Sequence, residues 1–98
     1  MNRTLTLAVT AIVLAMAGAA AAAEAPPGAA ACSGCHPASR GVSTQVTRLN
    51  GRNPAEVVGA MLEFRSGQRP GTVMGRIAKG FTDDEIKAIA AWYGAQKD

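Results

Sequence analysis

The sequence predicts a small all-α domain of three to four helices, and three observations predict it. Two segments carry well-formed helix starts, Asn53-Pro54-Ala55-Glu56 and Thr82 with Glu85 three residues on. No run alternates apolar and polar residues convincingly enough to read as a strand. The chain has 98 residues, which allows one domain at most.

The elements justify themselves in order. Asn2 and Arg3 form a short polar start, residues 5–20 are uncharged and mostly apolar, and Ala21-Ala22-Ala23 follows. That layout predicts a secretory signal peptide over residues 1–23, cleaved after Ala23, with residues 24–98 as the folded domain. An uncleaved anchor is the competing expectation, because the apolar run is nearly long enough to span a bilayer. A lipoprotein reading with Cys32 as acyl site is weak, since Cys32 lies well beyond that run. Loss of Arg3 lowers the net charge from +3 to +2, an excess too mild to argue for nucleic acid. It suits weak docking to an acidic protein partner. After cleavage no membrane span remains, and the destination is the periplasm.

Glu24 to Gly28, with Pro26-Pro27, reads as an extended entry. Ala29-Ala30-Ala31-Cys32 is a good helix former, and Pro37 stops whatever follows it. Residues 38–53 read as a loop with Val42, Val46 and Leu49 as anchors. In the middle helix Asn53 caps, Pro54 takes the first position, and Glu56 places charge at the positive end. Val57, Val58, Met61 and Leu62 form its expected buried stripe, and Gly67 ends it. Residues 68–75 are rich in helix breakers and predict a loop, with a short turn over residues 76–79 closed by Gly80. In the last helix Thr82 and Glu85 make a capping box, and Phe81 with Ile86 is placed as a hydrophobic staple. Ile86, Ile89, Ala90 and Tyr93 line its apolar face, with Trp92 beside it.

The chemistry concentrates in Cys32-Ser33-Gly34-Cys35-His36. C-x-x-C-H is the attachment signature of c-type haem. Two cysteines three positions apart on a helical turn reach the vinyl groups along one side of a porphyrin, and the next residue offers an imidazole to the iron. A thioredoxin-like pair would sit near a strand–helix–strand pattern, which is missing before Cys32. A zinc site needs four ligands, and the chain has two Cys and one His in total. A Cys32–Cys35 disulfide would leave His36 unexplained. One motif means one covalent haem c, and its ring would supply apolar surface that so short a chain lacks. Export agrees, since bacterial haem attachment takes place outside the cytoplasm.

His36 leaves a sixth position to fill. Beyond residue 23 the only thioethers are Met61 and Met74. Met61 sits mid-helix on an apolar stripe, where methionine is usually core filler. Met74, between Val73 and Gly75, lies where backbone can approach a flat ring closely, and is the favoured ligand. Val58, Leu62, Val73, Ile77 and Ile89 are candidate ring contacts or plain core. Arg69, Arg76 and Lys79 flank the ligand segment and are candidates for orienting a partner.

Taken together, the attachment motif, the capped middle helix, the methionine segment and the amphipathic last helix resemble a small class I cytochrome c. The resemblance covers essentially all of residues 24–98. Residues 72–81, Thr-Val-Met-Gly-Arg-Ile-Ala-Lys-Gly-Phe, look like the methionine loop of the cytochrome subunit of flavocytochrome c sulfide dehydrogenase, and residues 61–67 ahead of them are also similar. The resemblance implies three to four helices wrapped around one covalent haem, thioether attachment at Cys32 and Cys35, and axial ligation by His36 and Met74. It implies single-electron transfer without substrate chemistry of the chain's own, and a FAD-containing flavoprotein subunit that oxidises sulfide as the partner. A free-standing carrier serving other redox proteins is the first alternative. A haem enzyme or gas sensor with an open sixth site is the second. Two departures stand out. Pro37 follows the histidine where the class usually has Gly, and no proline occurs between Pro37 and Pro54 to hold the imidazole N–H through its carbonyl. The sequence leaves the acceptor of the imidazole N–H unassigned; another backbone carbonyl, near Val42 or Ser43, could serve.

Overall fold

The computed structural model describes residues 24–97; the expected signal peptide over residues 1–23 lies outside the described residues. Four helices follow one another: α1 (Ala29–Cys32), α2 (Pro54–Ser66), α3 (Met74–Ala78) and α4 (Asp83–Gly94). The all-α, class I cytochrome c-like architecture is therefore the one observed. No strand occurs among the described residues, and no helix there is long and apolar enough to cross a membrane.

Local chemistry sets the two long helices. The Asn53 side chain accepts the Ala55 N–H at 2.9 Å, Pro54 opens α2, and Gly67 closes it at φ 82°. A side chain at that φ is costly, which is why glycine stands there. In α4 the capping box is complete: Glu85 N–H donates to Thr82 Oγ1 at 3.2 Å, and Thr82 N–H donates to Glu85 Oε1 at 3.0 Å. Those bonds from Thr82, its backbone first, hold the Glu85 carboxyl below its ordinary pKa. A depressed carboxylate stabilises the fold above the ordinary Glu range and loses that contribution as pH falls through its folded value. Acid melts followed by helix ellipticity should therefore show Glu85→Gln, which keeps a capping side chain, with a flatter acid limb than the parent protein. Identical limbs would remove the box from the acid response.

The core lies on α4. Ile86, Ile89, Ala90 and Tyr93 are buried as the sequence pattern requires, joined by Ala29 and Ala78. Phe81 packs against Ala29, Ile89 and Tyr93, with Cys32, Leu49 and Trp92. Tyr93 O–H donates to the Ala29 carbonyl, tying α1 to a residue 64 positions away. Burial pushes that phenol above its ordinary pKa, so it stays a donor. α2 packs on α3 and on α4. At one end of that contact a Cβ on Gly94 would lie 2.9 Å from the Arg52 carbonyl oxygen and 2.7 Å from Pro54 Cγ. At the other, Arg65 pairs with Asp83 and donates to the Phe81 carbonyl at 3.3 Å.

Three expectations need correction. Residues 74 and 75 belong to a helix, since α3 begins at Met74 and takes in most of the expected turn. Propensity alone disfavours Gly75, but packing on α2 overrides it. The stripe Val57, Val58, Met61 and Leu62 is half-buried throughout, and α2 has no buried residue. Of the three loop anchors only Leu49 reaches the core; Val42 and Val46 are exposed.

Candidate functional site

The attachment motif is held from beneath by α4. Gly28 stands before α1 at φ 86°, and a Cβ there would lie 2.4 Å from the Phe81 ring. After Cys32 the backbone stays in turn geometry. Cys35 N–H donates to the Cys32 carbonyl at 3.2 Å, and His36 N–H donates to the same carbonyl at 2.9 Å. Cys32, Cys35 and His36 are thus gathered on one turn, as covalent attachment with axial ligation requires.

Both sulfurs are free thiols, Cys32 half-buried and Cys35 exposed. Burial pushes the Cys32 thiol up. A dithiol redox centre works by the reverse shift, a thiol lowered toward neutrality. Cys32 therefore lacks the lowered pKa of a nucleophilic thiol.

His36 Nδ1 faces the Thr47 carbonyl. A carbonyl oxygen only accepts, so Nδ1 carries the proton, and in the neutral ring that leaves the lone pair on Nε2. That tautomer is what metal ligation through Nε2 demands, with the carbonyl fixing ring orientation. The acceptor that the sequence left unassigned is Thr47, four or five residues beyond the neighbourhood of Val42 and Ser43. Nothing in the sequence marks a particular backbone carbonyl, since any residue could supply one.

Met74 is half-buried at the first position of α3. It is placed by α2: a Cβ on Gly71 would lie 3.0 Å from the Phe64 ring and 3.7 Å from Met74 Cβ, and one on Gly75 would lie 3.5 Å from the Phe64 carbonyl oxygen. α4 therefore positions the motif, α2 positions Met74, and α2 packs on α4. Met61 is half-buried within α2.

The candidate ring contacts divide. Ile89 is core, packed with Ala29 and Tyr93. Val58 and Leu62 are half-buried, while Val73 and Ile77 are exposed at 55% and 41%. Val42, at 53%, and Val46 complete the large exposed hydrophobics among the described residues. All four lie in the motif loop or the Met74 segment, and α2 contributes its half-buried stripe. These are the apolar side chains free to cover a large apolar ring. The donor set fits such a ring: two thiols for attachment, one imidazole in the correct tautomer and a thioether. No group of three or more His, Cys, Asp or Glu side chains able to hold a bare metal ion occurs among the described residues.

Arg69 is engaged with Glu63, both its Nε and Nη2 lying 2.9 Å from the carboxylate, and its guanidinium stands 5.5 Å over the Phe64 ring. Arg65, Arg69, Arg76 and Lys79 line one open cleft of about 370 Å³ with Phe64 and Thr72.

No family model matches the chain. It is 40% identical over 63 residues to the cytochrome subunit of sulfide dehydrogenase from Chlorobaculum tepidum, across 64% of this chain and 57% of that protein. It is 39% identical over 67 residues to the thiosulfate dehydrogenase electron acceptor from Stutzerimonas stutzeri, across 63% of this chain and 31% of that protein. The matches thus span less than two thirds of either relative.

Proposed function

We propose that this chain is a monohaem c-type cytochrome that carries single electrons, exported to the periplasm by residues 1–23 and serving a flavoprotein sulfide dehydrogenase. The observation that carries it is His36, the chain's single histidine, directly after Cys35 and held by Thr47 in the tautomer that frees Nε2. Haem c, when bound, supplies an Fe(III)/Fe(II) couple.

The chain's own residues do the rest. Cys32 and Cys35 would attach the ring through thioethers. His36 Nε2 and Met74 Sδ would be the two side-chain donors to the iron, and a thioether donor would favour the reduced state relative to a second imidazole. Val42, Val46, Val73, Ile77 and the α2 stripe would exclude water, which disfavours the more highly charged oxidised state. No step breaks a substrate bond. The similarity to a sulfide dehydrogenase cytochrome subunit supports the partner. A second reading, a free-standing carrier, is favoured by the second relative, an electron acceptor for a different dehydrogenase.

Gentle purification of the native protein at low salt, with flavin and haem absorbance recorded across one sizing column, tests both. Co-elution of flavin with haem, and haem reduction on adding sulfide, is the expected result. A lone haem peak would leave the carrier and remove the dedicated partner. Absence of the near-infrared charge-transfer band of ferric Met–haem ligation, with rapid carbon monoxide binding, would replace both readings by an open-site haem protein.

A further inference from the structure

We propose that Arg48 is a positioning residue for His36: its guanidinium clamps the Ala38 carbonyl and so holds the neighbouring Thr47 carbonyl against the imidazole Nδ1–H. The proposal rests on haem ligation by His36.

The geometry is a small closed circuit. Arg48 Nε and Nη2 both donate to the Ala38 oxygen, at 3.0 and 2.9 Å. Ala38 lies two residues after His36, and Arg48 directly follows Thr47. The bond from 36 to 47 and the clamp from 48 to 38 therefore close the same loop side by side. Such a loop has to be held, because fixing each backbone residue costs conformational entropy. No proline lies between Pro37 and Pro54 to supply stiffness covalently. Val42 and Val46 are exposed and give the loop little packing within the chain itself, whatever they would cover of a bound ring. What remains is hydrogen bonding. The Gly41 N–H donates to Ser39 Oγ and the Val46 N–H to Thr44 Oγ1, each at 3.1 Å, which shapes two local turns. Neither turn spans the loop. Arg48 does, and Leu49 next to it is packed against the core. Arginine suits the task, since its planar fork can present two parallel donors to one oxygen, whereas lysine offers a single flexible point.

The consequence is electronic as well as geometric. A carbonyl accepting from Nδ1–H raises the electron donation of Nε2, as outer hydrogen bonds do for metal-bound histidine. A loosened Thr47 would weaken that donation and favour the reduced state.

The test uses holoprotein isotope-labelled at histidine, where a single residue makes the signal unambiguous. Exchange of the His36 Nδ1 proton into heavy water and the midpoint potential are measured for the parent, Arg48→Gln and Arg48→Lys. Arg48→Gln is expected to speed exchange about tenfold, by opening a locally protected hydrogen bond, and to raise the potential. Arg48→Lys is expected to fall between. Unchanged exchange in Arg48→Gln would overturn the proposal, even with a lowered melting temperature. So would a shifted potential fully restored by lysine without any change in exchange, which is the signature of charge alone. Loss of helix content in Arg48→Lys would also overturn it, because a clamp confined to one loop leaves the helices standing. If His36 ring signals in the parent sit at free-imidazole positions, the ligation reading fails separately, and exchange alone then decides the clamp.

Discussion

Met74→Ala is expected to lower the midpoint potential on the order of a hundred millivolts or more, while Met61→Leu leaves it nearly unchanged. A thioether is a weak donor that favours the reduced state, and alanine leaves the position to water or to a stronger base. The two methionines differ in place. Met74 opens α3 beside the exposed Val73 and is fixed through Gly71 and Phe64. Met61 is one of several half-buried residues within α2, where leucine conserves volume. Spectroelectrochemical titration of both variants, with the near-infrared band as a second readout, decides between them. The reverse pattern, with Met61→Leu shifting the potential and Met74→Ala silent, would move the axial thioether to α2.

Gly28→Ala is expected to destabilise the protein by roughly 3 kcal/mol, from two separate causes. At φ 86° an alanine pays for left-handed backbone, and its Cβ would stand 2.4 Å from Phe81 Cε1 and 3.6 Å from Ile89 Cδ1. The Phe81 ring has limited room to yield, because it is packed against Ala29, Ile89 and Tyr93. A double variant separates the causes. Phe81→Leu should recover the crowding part of the Gly28→Ala cost and none of the backbone part, so the two substitutions couple in a urea-denaturation cycle. Additive costs would show that the ring never met the new methyl. A Gly28→Ala cost below about 1 kcal/mol would show that α1 sits more loosely on α4 than this packing implies. Because α1 ends at Cys32, the same variant should impair haem attachment during maturation.

Much of the fold is legible because the interactions that specify it are local. Asn53 meets the Ala55 N–H two residues on, and Thr82 meets Glu85 three residues on, so four letters write each helix start. The Ile86, Ile89, Ala90 and Tyr93 face follows from helical period alone, and all four are buried. The spacing of Cys32, Cys35 and His36 fits a single turn for the same reason. The misread elements depend on distant partners. Gly75 is helical because α3 lies on α2. Val42, Val46 and Leu49 look alike as loop anchors, yet only Leu49 packs against the Tyr93 cluster.

By itself, then, the sequence determined the helix starts, the apolar face of α4 and the gathering of two thiols and an imidazole on one turn. Each depends on side chains within a few positions of one another. Tertiary structure alone decided that Thr47 receives the His36 proton, that Arg48 reaches back to Ala38, and that Tyr93 ties α1 to α4. Those three contacts end on backbone carbonyls. Every residue carries the same carbonyl, so its selection as a partner leaves no mark on the side-chain sequence and is settled by where the chain comes to rest.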